Sequence, residues 1–239
     1  MSHLLALETS IPALLADLQG LPAAAGLRYL ADKFSGTIAF SSSLGIEDQL
    51  VTHYIFDNKL PIRVFTLDTG RLFNETYTLL HRTNQRYDQK IEVYFPKHEA
   101  VEQLLHNKGP QSFYESLENR KECCFIRKVE PLKRALQGVQ VWVTGLRADQ
   151  SDNRQSMQLL EWDDNFKVIK YNPLLDYTLD DVRAAIKEHN IPYNTLHDKG
   201  FVSIGCAPCT RAIREGENFR AGRWWWEDNS KKECGLHAR

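Results

Sequence analysis

The five cysteines are the residues whose spacing most directly implies chemistry. Cys123-Cys124 and Cys206-Ala-Pro-Cys209 form two close pairs far apart in the chain, as expected when two segments clamp one metal centre. Four thiolates suit either an all-cysteine zinc site or an iron-sulfur cube. Adjacent cysteines are awkward ligands for one tetrahedral ion, whereas a cube offers each sulfur its own iron, so the pattern favours a cluster. Ordinary buried thiols beside a turn are the plainer alternative. Lys128 follows Cys124 by four residues, so a helix over Glu122 to about Glu130 sets its ammonium on the same face as that thiol. Cys234 stands alone. Lys231 and Lys232 precede it and His237 and Arg239 follow, all able to stabilise a thiolate, which marks a candidate nucleophile. A stray cysteine in a frayed terminus accounts for the local sequence as well.

A second set of residues suits an anion. Ser41-Ser42-Ser43-Leu-Gly-Ile-Glu-Asp48 falls where a parallel strand yields to a helix, so free N–H groups, hydroxyls and the helix dipole favour a phosphate. No Gly-Lys-Ser/Thr is present, which disfavours a triphosphate hydrolase and favours a monophosphate nucleotide. Leu67-Asp68-Thr-Gly70 ends the next strand, with Asp68 placed to accept from a ribose hydroxyl. Thr144-Gly145-Leu-Arg147, followed by Arg154, ends another and contributes two guanidiniums suited to phosphate or sulfate. Each has an everyday alternative: a serine-rich turn with Glu47 and Asp48 complementing the dipole, an Asp-Thr-Gly turn, solvated arginines. Arg220 and Arg223 add two guanidiniums just before Trp224-Trp225-Trp226, of which one or more docks the tail.

Positioning these residues requires a scaffold, and the apolar patterning supplies one. Helices open at Ser10/Pro12 and Pro22, and strands are expected at 37–41, 62–67, 91–95 and 139–144. Helices over 46–57 and 72–87 separate the first three strands, an alternation that implies a parallel sheet. A hairpin is expected over 156–171 around Asp163-Asp164-Asn165, and a capped helix from Thr178 to Asn190. The fold class is α/β, a doubly wound and mostly parallel sheet. As one domain it divides into an N-terminal helical cover (1–35), a nucleotide- and cluster-binding core (36–214) and a mobile C-terminal tail (215–239).

Lys and Arg total 30 against 31 Asp and Glu, which argues against a nucleic-acid partner and makes any anion site local. No apolar run is long enough for a membrane span, and the N-terminus lacks a basic n-region, so a cytoplasmic protein is expected. In that reducing compartment cysteines serve metals or catalysis rather than disulfides. The N-terminal helices offer a surface for a homo-oligomer.

Taken together, the 41–48 loop, the 67–70 turn, both cysteine pairs, Arg220-Ala-Gly-Arg-Trp-Trp-Trp226 and Glu233-Cys-Gly-Leu-His237 closely resemble the assimilatory adenylyl-sulfate reductases. The resemblance implies the adenine-nucleotide α-hydrolase-like fold, related to the PP-loop enzymes, and a [4Fe-4S] cluster on Cys123, Cys124, Cys206 and Cys209. It implies Cys234 as the catalytic nucleophile. Ser41, Ser42, Ser43, Leu67, Asp68, Lys128, Gly145, Arg147, Arg154, Arg220, Arg223 and His237 would be substrate contacts. The activity implied is reduction of adenosine 5′-phosphosulfate to sulfite and AMP in sulfate assimilation and cysteine biosynthesis. It would proceed through S-sulfonated Cys234, with thioredoxin or a glutaredoxin-like protein as reductant. The alternatives are a reductase of the 3′-phosphorylated nucleotide, an ATP-dependent adenylating or thiolating enzyme, and a nucleotide sensor that does not require Cys234.

Overall fold

The computed structural model of the chain describes residues 2–150 and 156–227. In chain order the elements are α1 (Ser2–Thr9), α2 (Ile11–Leu18), α3 (Ala23–Lys33), β1 (Ile38–Ser41), α4 (Ile46–Asp57), β2 (Arg63–Leu67), α5 (Asn74–Tyr87) and β3 (Glu92–Tyr94). They continue with α6 (His98–Lys108), α7 (Leu117–Cys124), α8 (Glu130–Ala135), β4 (Val141–Val143), β5 (Leu160–Asp163), β6 (Val168–Tyr171) and α9 (Leu179–Glu188). No helix among the described residues is long and apolar enough to cross a membrane.

Six strands form one sheet in the order β3-β2-β1-β4-β6-β5. β1 runs parallel to β2 and β4, and β4 parallel to β6, with Phe40 opposite Val64 and Val143. β4 and β6 are buried along their whole length, as parallel strands covered on both faces must be. β5 is antiparallel, pairing with β6 through a short hairpin. Asp163 Oδ1 shapes that turn by accepting from the N–H groups of Asn165 and Phe166. The winding reverses between β1 and β4, and the loops leaving adjacent strands at such a switch point border a ligand crevice.

The chain forms two compact units, each assembled from separate stretches of sequence. The first comprises Met1–Thr66, Thr78–Glu92 and Leu136–Asn194. Its core joins Leu14, Leu27 and Leu30 of the N-terminal helices to Phe40, Leu50, Ile55, Val141 and Ile169. α4 is buried around most of its circumference, so its polar side chains find internal partners: Gln49 donates to Thr83 and to the Pro192 carbonyl. α9 starts with the expected capping box, Thr178 and Asp181 satisfying each other's backbone N–H groups, and buries Val182 and Ile186.

The second unit comprises Leu67–Tyr77, Val93–Ala135 and Thr195–Arg239. Its backbone feature of note is a turn of π-helix, Phe125–Val129, between α7 and α8. Pro131 would break an α-helix here, because it has no N–H to give and its ring meets the carbonyl four residues back. The chain absorbs it one residue earlier, where the Glu130 N–H reaches Phe125 O instead. The helix thus continues through Pro131 to Ala135. α6 was not legible in the apolar pattern, since Leu104 is its one fully buried residue.

Candidate active site

In the first unit the loops after β1 and β4 meet. Of the three serines, Ser41 accepts from the Trp142 indole at 2.8 Å and Ser42 is buried, its hydroxyl accepting from the Leu44 N–H. Ser43 alone is exposed. Its N–H and hydroxyl both donate to Asp48 at 2.5 Å, folding the loop back on the first turn of α4. Gly145 lets that happen: a Cβ there would overlap the Asp48 carboxylate. Arg147, expected as a phosphate or sulfate ligand, is 1% exposed and engaged internally. Nε and Nη2 donate to Glu47 Oε1 at 3.1 and 3.0 Å, and Nη1 to Asp149 and the Tyr177 carbonyl. As it stands, this guanidinium is a strut between the two loops.

In the second unit one recess is lined by Cys123, Cys124, Cys206 and Cys209 together with Arg71, Phe113, Arg120, Arg127, Lys128 and Pro208. All four thiols are free, and they share an apolar cluster with Phe113, Trp224 and Trp226. Cys123 and Cys124 close α7, which the Ser116 hydroxyl caps by accepting from the Asn119 N–H. Cys206 and Cys209 bracket a tight 3₁₀ turn (Ala207–Cys209) containing Pro208, with the Cys209 N–H on Cys206 O and the Ala207 N–H on Arg71 O.

The turn after β2 is tied to the same recess. Asp68 Oδ1 accepts from the Gly70 N–H at 2.8 Å and from the Tyr77 hydroxyl at 2.9 Å. Thr69 sends its hydroxyl to within 3.2 Å of Cys206 Sγ, and its carbonyl accepts from Arg127 at 2.6 Å. Gly70, at φ +71°, makes the turn and leaves room for Phe95 and Arg127.

These surroundings split the thiols. Burial pushes Cys206 up, but Lys128, the Thr69 hydroxyl, Arg223 and Arg127 outweigh it and hold the thiol below its ordinary value. Burial and the neighbouring Cys206 push Cys209 up to about 12. Burial also raises Cys123, against Arg127 and Arg71. Among the described residues, no three or more His, Cys, Asp or Glu side chains stand close enough to grip a single metal ion. Arg127 Nε, Arg223 Nε and Trp224 Nε1 are buried and have no hydrogen-bond acceptor among the described residues.

Lys128 lines the recess with Cys124, as the four-residue spacing requires. Arg223 is buried with its guanidinium 4.6 Å from the Trp224 ring centre, and Arg220 lies 5.8 Å from the same ring. Leu67 ends β2 and is partly buried. Arg154, Cys234 and His237 lie outside the described residues. Sequence reasoning missed Arg71, Arg120 and Arg127. Arg127 follows Cys123 by four residues, the spacing that singled out Lys128 after Cys124, so its signal was present.

Residues 37–212 match the phosphoadenosine phosphosulfate reductase domain. The chain is 48% identical over 232 residues to an adenosine 5′-phosphosulfate reductase of Sinorhizobium fredii, covering 97% of this chain and 92% of that one. To the protein of the same name from Allochromatium vinosum it is 51% identical over 203 residues, covering 85% and 79%. Among solved structures it is similar to a phosphate complex of phosphoadenylyl-sulfate reductase from Candida auris, with a TM-score of 0.72 and 29% identity over 85% of this chain and 96% of that one. It also shares its fold with Candida glabrata FMN adenylyltransferase, with a TM-score of 0.54 and 17% identity over 92% and 78%.

Proposed function

Because this chain belongs to the phosphoadenosine phosphosulfate reductase domain family, we propose that it is an adenylyl-sulfate reductase, transferring the sulfuryl group of adenosine 5′-phosphosulfate to Cys234 and releasing it as sulfite. The observation that carries the reading is the gathering of Cys123, Cys124, Cys206 and Cys209 in one recess with Lys128 and a ring of arginines. The substrate is the one named for the bacterial relatives.

The donor set fits a four-iron four-sulfur cluster, with Cys123, Cys124, Cys206 and Cys209 as ligands. Four thiols served by separate irons need not crowd round one ion. The buried Arg127 Nε, Arg223 Nε and Trp224 Nε1 are donors for which the described residues supply no acceptor. When bound, the cluster would tune the electrostatics of the recess without changing oxidation state.

The reaction asks little more of the chain than charge and a nucleophile. Lys128, Arg220 and Arg223 neutralise the sulfate and phosphate oxygens, and Asp68 accepts from a ribose hydroxyl. The Cys234 thiolate attacks the sulfate sulfur, forming an S–S bond as the S–O bond to AMP breaks. AMP leaves with that electron pair on its phosphate oxygen and needs no general acid. A thiolate of a thioredoxin-type dithiol then attacks Cys234 Sγ. Sulfite departs with the S–S pair, and the second thiol closes a disulfide and frees Cys234, so the dithiol supplies both electrons.

The test is sulfite release from adenosine 5′-phosphosulfate by anaerobically purified protein with thioredoxin, iron being quantified in the same sample. Sulfite with about four irons per chain is expected, and retained turnover in Cys234→Ser would sink the assignment. The Candida auris likeness makes the 3′-phosphorylated nucleotide the second reading, and competition between the two nucleotides in the same assay decides between them.

A further inference from the structure

One buried ion pair in the second unit does no work in the mechanism above. Arg120, on α7 three residues before Cys123, donates from Nε to Glu227 Oε1 at 2.8 Å and from Nη2 to Glu227 Oε2 at 2.7 Å. The two side chains are 1% and 9% exposed. The same guanidinium faces the Cys124 thiol and lies 4.7 Å from the centre of the Trp224 ring.

Trp224 is where support is needed. It is fully buried at φ +40°, a left-handed conformation that a bulky residue holds only when its surroundings force it. Its N–H reaches Cys209 O at 3.2 Å, and its own carbonyl accepts from the Glu227 N–H at 2.8 Å. The strained turn is therefore pinned at one end by a cysteine of the recess and at the other by the residue that Arg120 grips. Arg223 precedes it, its guanidinium over the same ring at 4.6 Å from the centre and seated against Gly205, next to Cys206.

We propose that Arg120 and Glu227 are positioning residues, whose pairing holds the Trp224 turn against α7 and thereby sets the Arg223 guanidinium for binding the anionic substrate. A forked arginine–carboxylate pair fixes both distance and orientation, which a lone charge at either position cannot. The inference rests on Arg223 as a substrate contact.

The test uses the full-length, iron-loaded Cys234→Ser protein, which binds the nucleotide without turnover, titrated calorimetrically with adenosine 5′-phosphosulfate. Glu227→Gln is expected to weaken binding about tenfold, equivalent to ~1.4 kcal/mol, with iron content unchanged, and Glu227→Asp to recover most of the loss. In an Arg223→Ala background the same change should shift binding by less than about twofold, since the residue it positions is gone. Equal factors in both backgrounds, or no effect in either, would overturn the proposal. Arg120→Lys, which keeps the charge and loses the fork, is read the same way should Glu227→Gln fail to fold. Hydrogen exchange at the Trp224 and Glu227 amides gives a readout free of substrate, faster exchange in the variant supporting the clasp and unchanged exchange refuting it. Failure of the parent Cys234→Ser protein to bind nucleotide would instead count against the functional reading, with exchange still deciding the clasp.

Discussion

Gly205→Ala should damage substrate binding more than its size implies. The Gly205 backbone lies outside the left-handed region, so alanine is conformationally acceptable there and only the added methyl matters. That carbon would sit 2.7 Å from Arg223 Nη1 and closer still to Cζ and Nη2. The guanidinium cannot yield cheaply, because it is buried and stacked 4.6 Å from the centre of Trp224. Forcing a methyl into so close a contact costs about 1–3 kcal/mol of stability, and moving the cation off the ring forfeits about 0.5–2 kcal/mol.

If the displaced guanidinium also loses one charge-assisted hydrogen bond to the substrate, worth about 1.5–3 kcal/mol, affinity falls roughly ten- to 150-fold. Calorimetric titration of Cys234→Ser with adenosine 5′-phosphosulfate, with and without Gly205→Ala, measures this loss. Denaturant unfolding of the same proteins measures the stability term. Removing Arg223 removes the clash, so Gly205→Ala should cost less than about 0.5 kcal/mol in an Arg223→Ala background. Unchanged affinity together with an undiminished stability cost in that background would refute the argument, since the methyl would then be meeting something other than Arg223.

Glu47→Gln removes the buried carboxylate of Arg147 and leaves it only the exposed Asp149, and should lower stability by about 3–5 kcal/mol; a loss under about 1 kcal/mol in urea unfolding would show that the strut is dispensable. His53, with its ring against His189 and Nδ1 3.0 Å from the Tyr87 hydroxyl, gives a pH effect of definite sign. Burial, opposed by Asp57 and reinforced by His189 and Arg86, lowers its proton affinity in the fold, whereas the unfolded chain takes up the proton near pH ~6.5. The unfolded state therefore binds more protons as pH falls below that value, and stability falls with it. Unfolding free energies at about pH 7.5 and 5.5 should differ less in His53→Gln than in the parent; an identical difference would assign the slope to other groups. Cys206→Ser, purified anaerobically, should lose most of the iron carried by the parent, and full iron loading would remove Cys206 from the ligand set.

Local signals survived the passage from sequence to structure, and long-range pairings did not. The bounds of α4 and the cap of α9 were legible because Gly45 precedes an apolar run and because Thr178 and Asp181 satisfy each other within one turn. The cysteine pairs were legible because each lies within one short segment, and the structure brings all four thiols to one recess. Arg147 was not, since nothing near it in the chain tells a guanidinium whether its partner is a phosphate or a carboxylate. Glu47, which takes it, is one hundred residues earlier. Pro131 carries no local sign of what precedes it, and only the π-turn, a rare device often found at functional sites, lets the helix run through it. What Gly205 and Gly145 make room for was invisible for a similar reason, because Arg223 and Asp48 belong to distant segments.

The two units answer opposite electrostatic problems. In the first, the acids at the start of α4 are already matched, Glu47 by Arg147 and Asp48 by the Ser43 donors, and the loop is held rigid by that matching. In the second, Arg71, Arg120, Arg127 and Lys128 line one recess with Arg223 close by, and Arg120 pairs with Glu227. Burying so many cations is unfavourable unless anions accompany them. The neutral thiol to which Cys209 is held supplies none, whereas four thiolates would. On the proposed reading, four ionised, cluster-ligating cysteines and an anionic substrate would supply the negative charge that these cations call for.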